Sequence, residues 1–208
     1  MILKDSENVR TEAAAIITRG GVIAFRTDTF YGLGADPFNQ TALRWIKELK
    51  GREERKPILI LIAEVQELDR FIAPRSALFD RVCEHHWPGP LTLVGSARPE
   101  LPAELTAGTG TIGVRLPDDR EVRDLVRVCG GALTATSANT SGQPAARTAK
   151  EVESYFPIGI DLIIDGGEVT ATEPSTVLDL SRSEPRLIRE GAIRMKELQD
   201  AEAASERE

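Results

Sequence analysis

The sequence predicts a single α/β (α+β) domain, an open twisted mixed sheet flanked by helices. Short β-branched runs alternate with helix-period segments along the chain. Residues 111–116 alternate strictly: Ile112, Val114 and Leu116 are apolar between Thr111, Gly113 and Arg115, which marks a strand with one polar face. No Pro- or Ser-rich linker and no internal repeat divides residues 1–200, so they read as one domain. Residues 201–208, AEAASERE, read as a disordered polar tail.

In order, residues 12–18 form a helix through the stripe of Ala13, Ala14, Ile16 and Ile17, ended by Gly20 and Gly21. Residues 22–25 form a buried strand, and Tyr31, Gly32, Leu33 and Gly34 a glycine-bearing turn. Asn39 caps a helix carrying Ala42, Leu43, Ile46 and Leu49, interrupted by Gly51. The run of residues 58–62 is a central strand, followed by helices at 65–71 and around Leu78, Phe79 and Val82. Strands are expected at 91–94 and 133–136, with a helix at 119–128 between them. Thr148 caps a helix to Tyr155, with Glu151 at the capping-box position. Strands at 161–164, 176–180 and 186–188 complete the chain.

The 208 residues carry 26 Lys and Arg against 33 Asp and Glu, a net charge of −7. That balance argues against a general nucleic-acid coat but leaves room for a local basic pocket. Two cysteines without metal spacing, Cys83 and Cys129, point to a reducing compartment. The chain shows no signal-peptide pattern and no run near the roughly 20 apolar residues that span a bilayer, so a cytoplasmic protein without a membrane contact is expected.

Polar clusters follow or interrupt the apolar strands, where ligands of such sheets commonly bind. Lys50, Arg52, Arg55 and Lys56, bent by Gly51 and Pro57, read equally as a phosphate-wrapping loop or as a solvated helix end. Arg115 reads either as a fork for a ligand carboxylate or as half of a structural ion pair. Ser137, Asn139, Ser175 and Thr176 suit a small polar ligand or a local cap. Asp28, in the patch Thr27, Asp28, Thr29 and Tyr31, offers a lone carboxylate, as a base or for magnesium. His85 and His86 lack partners at metal spacing, and Trp87 reads as core or wall. No P-loop, GxGxxG before a helix, or GxSxG occurs, so electrostatic positioning of a nucleotide remains the chemical option.

The segments GGVIAFRTDTFYGLGADPF, KGREERKPI, WPGPLTLV, TIGVRLPD, LTATSANTSGQP, IDGG, PSTVLDL and IREGAI, in this order, resemble the TsaC/YrdC family of threonylcarbamoyl-AMP synthases, in its short form without an extra C-terminal domain. The resemblance implies an open sheet around a concave basic groove, with residues 1–200 as the catalytic domain. It implies that ATP, L-threonine and bicarbonate give threonylcarbamoyl-AMP and pyrophosphate, with magnesium assisting. A tRNA threonylcarbamoyl-transfer complex acting at tRNA position 37 would use the product, with a transient tRNA contact here. Lys50, Arg52 and Lys56 match the catalytic phosphate-binding set; Thr111, Asn139 and Arg189 match further ATP contacts. Thr29, Tyr31, Arg115, Ser137 and Ser175 match the threonine pocket, with Arg115 on the carboxylate and Tyr31 as a wall. Two positions depart. Arg26 stands where the family often has Pro, which changes loop rigidity or adds a cation to the cleft. Leu61 stands where many long-form members have His, which removes a hydrogen bond to threonine. The groove also fits an alternative, a double-stranded RNA or tRNA binder in translation or ribosome maturation.

Overall fold

The computed structural model describes residues 1–51 and 56–197. It opens with β1 (Ile2–Lys4) and α1 (Glu7–Thr18). The helix begins five residues before the expected start, because the Ser6 hydroxyl caps it by accepting from Val9 N. Ala13, Ile16 and Ile17 are its buried face, and Gly20, at φ +84°, turns the chain out of it.

β2 (Ile23–Arg26) pairs antiparallel with β3 (Tyr31–Gly34), so the glycine-bearing segment is a strand and not the expected turn. Gly34 serves close approach: a Cβ there would stand 2.7 Å from the Phe25 ring. The real turn is 27–30, organised by one hydroxyl. Thr27 Oγ1 accepts from Thr29 N and Phe30 N, each at 3.2 Å, and donates to Phe30 O at 2.6 Å.

α2 (Gln40–Lys50) has the expected cap, with Asn39 Oδ1 accepting from Ala42 N at 3.0 Å, and Gly51 closes it at φ +56°. β4 (Ile60–Ile62) follows, then a 3-10 turn at Val65–Arg70 in place of the expected α-helix. α3 (Ala77–His86), β5 (Leu91–Ser96), a short α4 (Ala103–Thr106), β6 (Thr111–Arg115) and α5 (Arg120–Val128) come next. The expected single strand at 133–136 is two short ones, β7 (Ala132–Thr134) and β8 (Thr136–Ser137). α6 (Ala149–Tyr155), β9 (Leu162–Asp165), β10 (Thr176–Asp179) and β11 (Arg186–Arg189) complete the described elements. Thr148 caps α6 as expected, while the Glu151 carboxylate reaches one residue further back, to Arg147 N at 2.6 Å.

The architecture is the expected mixed α/β domain, with its strands in two mixed sheets ordered β1-β9-β2-β3-β8 and β11-β10-β5-β6-β4-β7. The chain crosses between them at Ala135, which separates β7 from β8. Register assigns the faces of the larger sheet. Val177 pairs with Thr92, and Val94 with Gly113, so these four share one face with Thr111 and Arg115. Leu91, Leu93, Ile112, Val114 and Leu178 face the other way, into the larger apolar core. A second core joins Ile23, Phe25, Leu61 and Leu133 to α1 and α5. Trp87 is a core residue whose Nε1 donates to Leu91 O at 2.7 Å. Burial pushes the thiols of Cys83 and Cys129 up to about 12, which keeps both protonated at neutral pH. Among the described residues no helix is long and apolar enough to cross a membrane.

Candidate active site

A cavity of about 680 Å³ opens over the polar face of the larger sheet, and Gly32 of the smaller sheet and the 27–30 turn also line it. It gathers ten of the eleven residues singled out in the sequence: Thr29, Tyr31, Lys50, Lys56, Thr111, Arg115, Ser137, Asn139, Ser175 and Arg189. The eleventh, Arg52, lies outside the described residues, as do Arg55 and the tail at 201–208. Four cations and no carboxylate line the cavity among the described residues, in a chain whose net charge is −7. Such a cavity is built for anions.

Arg115 is the deepest cation, 2% exposed at the end of β6. Of its two readings, the structural ion pair is present. Asp28 Oδ1 lies 3.0 Å from its Nη1, and Nη2 donates to the Thr29 hydroxyl at 3.4 Å. Yet Nε and Nη1 complete no aligned hydrogen bond among the described residues, so the guanidinium keeps unused donor capacity. Burial pulls the Arg115 pKa down and Asp28 counteracts it. Tyr31 lines the cavity, its hydroxyl turns away from the cleft to Gly167 O at 2.8 Å, and burial pushes its pKa up to about 12.

Lys50 is 5% exposed, which a lysine at a helix end rarely is. Its ammonium donates to Ser137 O, to Asn139 O at 2.8 Å and to Asn139 Oδ1 at 3.5 Å, while its own carbonyl accepts from Ser141 N at 2.9 Å. Lys50 therefore clamps the loop after β8 from both ends of the residue. Asn139 completes the clamp, its amide donating to Thr140 O and Gln143 O. The result is a Ser137 side chain that stays exposed at the cavity wall.

On the opposite side, Arg189 of β11 donates to Ser175 O at 2.8 and 3.1 Å and to Ser175 Oγ at 3.2 Å. The Ser175 hydroxyl also meets Thr92 Oγ1 at 3.0 Å. Partial burial first, and the positive charge of Arg115 second, lower the Arg189 pKa. Sequence reasoning missed Gly191, which sits so close to Pro174 and Ser175 that a Cβ would run into the Pro174 carbonyl oxygen and stand 2.7 Å from Ser175 C. The IREG segment carried the signal, but a lone glycine reads as a turn. Gly191→Ala is expected to cost about 1–3 kcal/mol by forcing this contact apart. Denaturant unfolding checks this, and unchanged stability would show that the segment moves aside freely.

Neither departure lines the cleft. Arg26 adds no cation to it; Nη2 instead meets Asp119 Oδ2 at 2.6 Å and Glu121 Oε2 at 3.4 Å. Asp119 is the cap of α5, so Arg26 ties the end of β2 to the helix start. Leu61, the register partner of Arg115, is fully buried in the second core and does not line the cavity. His86 is half-buried, with its pKa lowered by burial and by His85. Among the described residues no group of three His, Cys, Asp or Glu side chains is placed to hold a metal ion. The described lining therefore offers no carboxylate to hold magnesium.

The family model Sua5_yciO_yrdC, described as "Telomere recombination", matches residues 15–191. The threonylcarbamoyl-AMP synthase of Thiobacillus denitrificans is 40% identical over 167 residues, covering 80% of this chain and 88% of that protein. The threonylcarbamoyl-AMP synthase of Pyrococcus abyssi is 36% identical over 187 residues, covering 90% of this chain; the chain spans only 55% of that protein's length. The crystal structure of P. abyssi Sua5 complexed with L-threonine superposes with a TM-score of 0.91 at 34% identity, over 97% of this chain and 59% of that one. Escherichia coli YciO, at 24% identity and a TM-score of 0.84, shares the fold.

Proposed function

The chain belongs to the Sua5_yciO_yrdC family, and from that premise we propose that it is a threonylcarbamoyl-AMP synthase, joining L-threonine, bicarbonate and ATP with release of pyrophosphate. The single observation that carries this reading is the cavity itself: four cations without a carboxylate among its described lining, beside a row of hydroxyls. A triphosphate and an amino-acid carboxylate are the anions such a set accommodates side by side. The named activity of the relatives, and the threonine held by the P. abyssi protein, support the choice of ligands.

In this reading Arg115 receives the threonine carboxylate, with Thr29, Ser137 and Ser175 around the rest of the molecule and Tyr31 as the wall. The neutral threonine amine attacks the bicarbonate carbon; the N–C bond forms, a C–O bond breaks and water leaves, giving a carbamate. The carbamate oxygen attacks the α-phosphorus of ATP, the bond from that phosphorus to the β-phosphate oxygen breaks, and pyrophosphate leaves. Lys56, Arg189 and Thr111 hold the phosphates, Arg52 belongs to the same set by its place in the sequence, and Asn139 and Lys50 shape the wall between the two ligands. No side chain need transfer a proton to the α-phosphorus. The contribution is approximation of two anions and neutralisation of their charge in a fixed field. Magnesium is assigned to the incoming triphosphate. The product would serve a tRNA threonylcarbamoyl-transfer complex in the cytoplasm.

Mixing the protein with ATP, magnesium, L-threonine and bicarbonate is expected to release pyrophosphate only when both threonine and bicarbonate are present. Release without either, or no release together with tight, salt-sensitive RNA binding that ATP does not affect, would reject the reading in favour of another adenylation or an RNA binder. Lys56 is exposed on the cavity rim, so Lys56→Ala should raise the ATP KM roughly tenfold to a hundredfold with an unchanged melting temperature. A matching loss of stability would remove Lys56 from the phosphate set.

A further inference from the structure

We propose that Asp28 is a positioning residue for this cleft: its carboxylate, set behind Arg115, aims the guanidinium into the cavity and so sets the affinity for L-threonine. The inference rests on the reading of Arg115 as the anchor of the amino-acid carboxylate.

Asp28 sits at the tip of the 27–30 turn, between two threonines that line the cavity, and does not line it itself. From there its Oδ1 reaches Arg115 Nη1 at 3.0 Å, while Thr29 takes Nη2. One turn thus grips both terminal nitrogens of a side chain 86 residues away, counted from Thr29. The turn is held rigid by the three hydrogen bonds of Thr27 Oγ1 with Thr29 N, Phe30 N and Phe30 O. Asp28 Oδ1 and Arg115 Nε and Nη1 complete no aligned hydrogen bond among the described residues. The pair therefore sets the charge and position of the guanidinium by its 3.0 Å contact, and Nε is left without a partner.

A buried guanidinium that lost this counter-ion would be desolvated without compensation and would turn toward water at the cavity mouth. Arg189 adds repulsion on the cavity side. The charged groups facing Asp28 are Arg115 on β6 and, past the end of that strand, Asp119 and Asp118. Burial is the largest influence on the Asp28 carboxyl and raises its pKa; Arg115 and the local backbone oppose it, and the two neighbouring acids add to the rise. Asp28 thus takes up its proton at a higher pH than an exposed aspartate, and Arg115 loses its orienting charge as the pH falls through that raised value.

The test measures L-threonine binding directly by calorimetry, from neutral pH down into the carboxylate range, because bicarbonate itself titrates there and would confound turnover. Wild-type affinity is expected to weaken as the pH falls. Asp28→Asn is expected to bind threonine about tenfold more weakly at neutral pH and to lose the acidic limb, with the ATP KM unchanged. Asp28→Glu keeps the charge and is expected to keep the limb. Unchanged or tighter threonine binding by Asp28→Asn, or a limb that both variants keep or both lose, overturns the proposal while leaving Arg115 as anchor. If Asp28→Asn does not fold, the wild type and Asp28→Glu decide: a flat wild-type profile overturns the proposal. A folded Arg115→Ala protein that binds threonine normally overturns both the proposal and the reading beneath it.

Discussion

Arg115→Ala is expected to reduce kcat/KM for L-threonine roughly a hundredfold to a thousandfold, through a threonine KM that rises while the ATP KM stays near the wild-type value. A carboxylate held by two charge-assisted hydrogen bonds loses about 1.5–3 kcal/mol with each. The variant also leaves Asp28 buried without its partner. Its stability is expected to fall by less than the about 3–5 kcal/mol of a broken buried pair, since the raised pKa of Asp28 lets it take a proton instead. Arg115→Lys keeps the charge, loses the planar fork and should fall between the two. Steady-state kinetics at varied threonine with saturating ATP, beside thermal melting, checks all three expectations. An unchanged threonine requirement in folded Arg115→Ala protein would remove it from the pocket.

Lys50→Met is the second large effect, and its signature differs. Removing the ammonium strips a charged donor from Ser137 O and Asn139 O, which hold the loop bearing Ser137 on the cavity wall. We expect a stability loss of about 2–4 kcal/mol and a fall in kcat of at least about a hundredfold, with threonine and ATP use both impaired. A residue that only touched phosphate would raise the ATP KM and leave the melting temperature unchanged, as expected for Lys56. Parallel titrations of both substrates and denaturant unfolding of Lys50→Met and Lys56→Ala separate these roles. Lys50→Met with wild-type stability would return Lys50 to a simple phosphate contact.

The parts of the fold that follow local rules were legible. The caps at Asn39 and Thr148 and the alternation that became β6 needed only near neighbours. The misreadings have physical causes. Gly32 and Gly34 signal a turn in isolation, but Gly34 lets the strand pass close to the Phe25 ring, which is a tertiary fact. β7 and β8 read as one strand because nothing in their composition marks the step from one sheet to the other. In the site, residue types disclosed a basic, hydroxyl-rich cleft, but not which cation does what. Lys50 reads equally as a phosphate contact or a solvated helix end until the carbonyls of Ser137 and Asn139 are seen around it, and Arg26 as a change of loop rigidity or a cleft cation until Asp119 is found beside it. The pairing of Asp28 with Arg115 joins the ends of two strands in different sheets, a separation over which sequence pattern carries no information.

The most direct measurement is a crystal structure of the protein grown with L-threonine and a non-hydrolysable ATP analogue. The threonine carboxylate is expected against the Arg115 guanidinium, with the triphosphate between Lys56 and Arg189 and the α-phosphorus facing the threonine amine. Threonine and nucleotide bound at separate surfaces, or an Arg115 without a ligand carboxylate while threonine lies elsewhere, would contradict it.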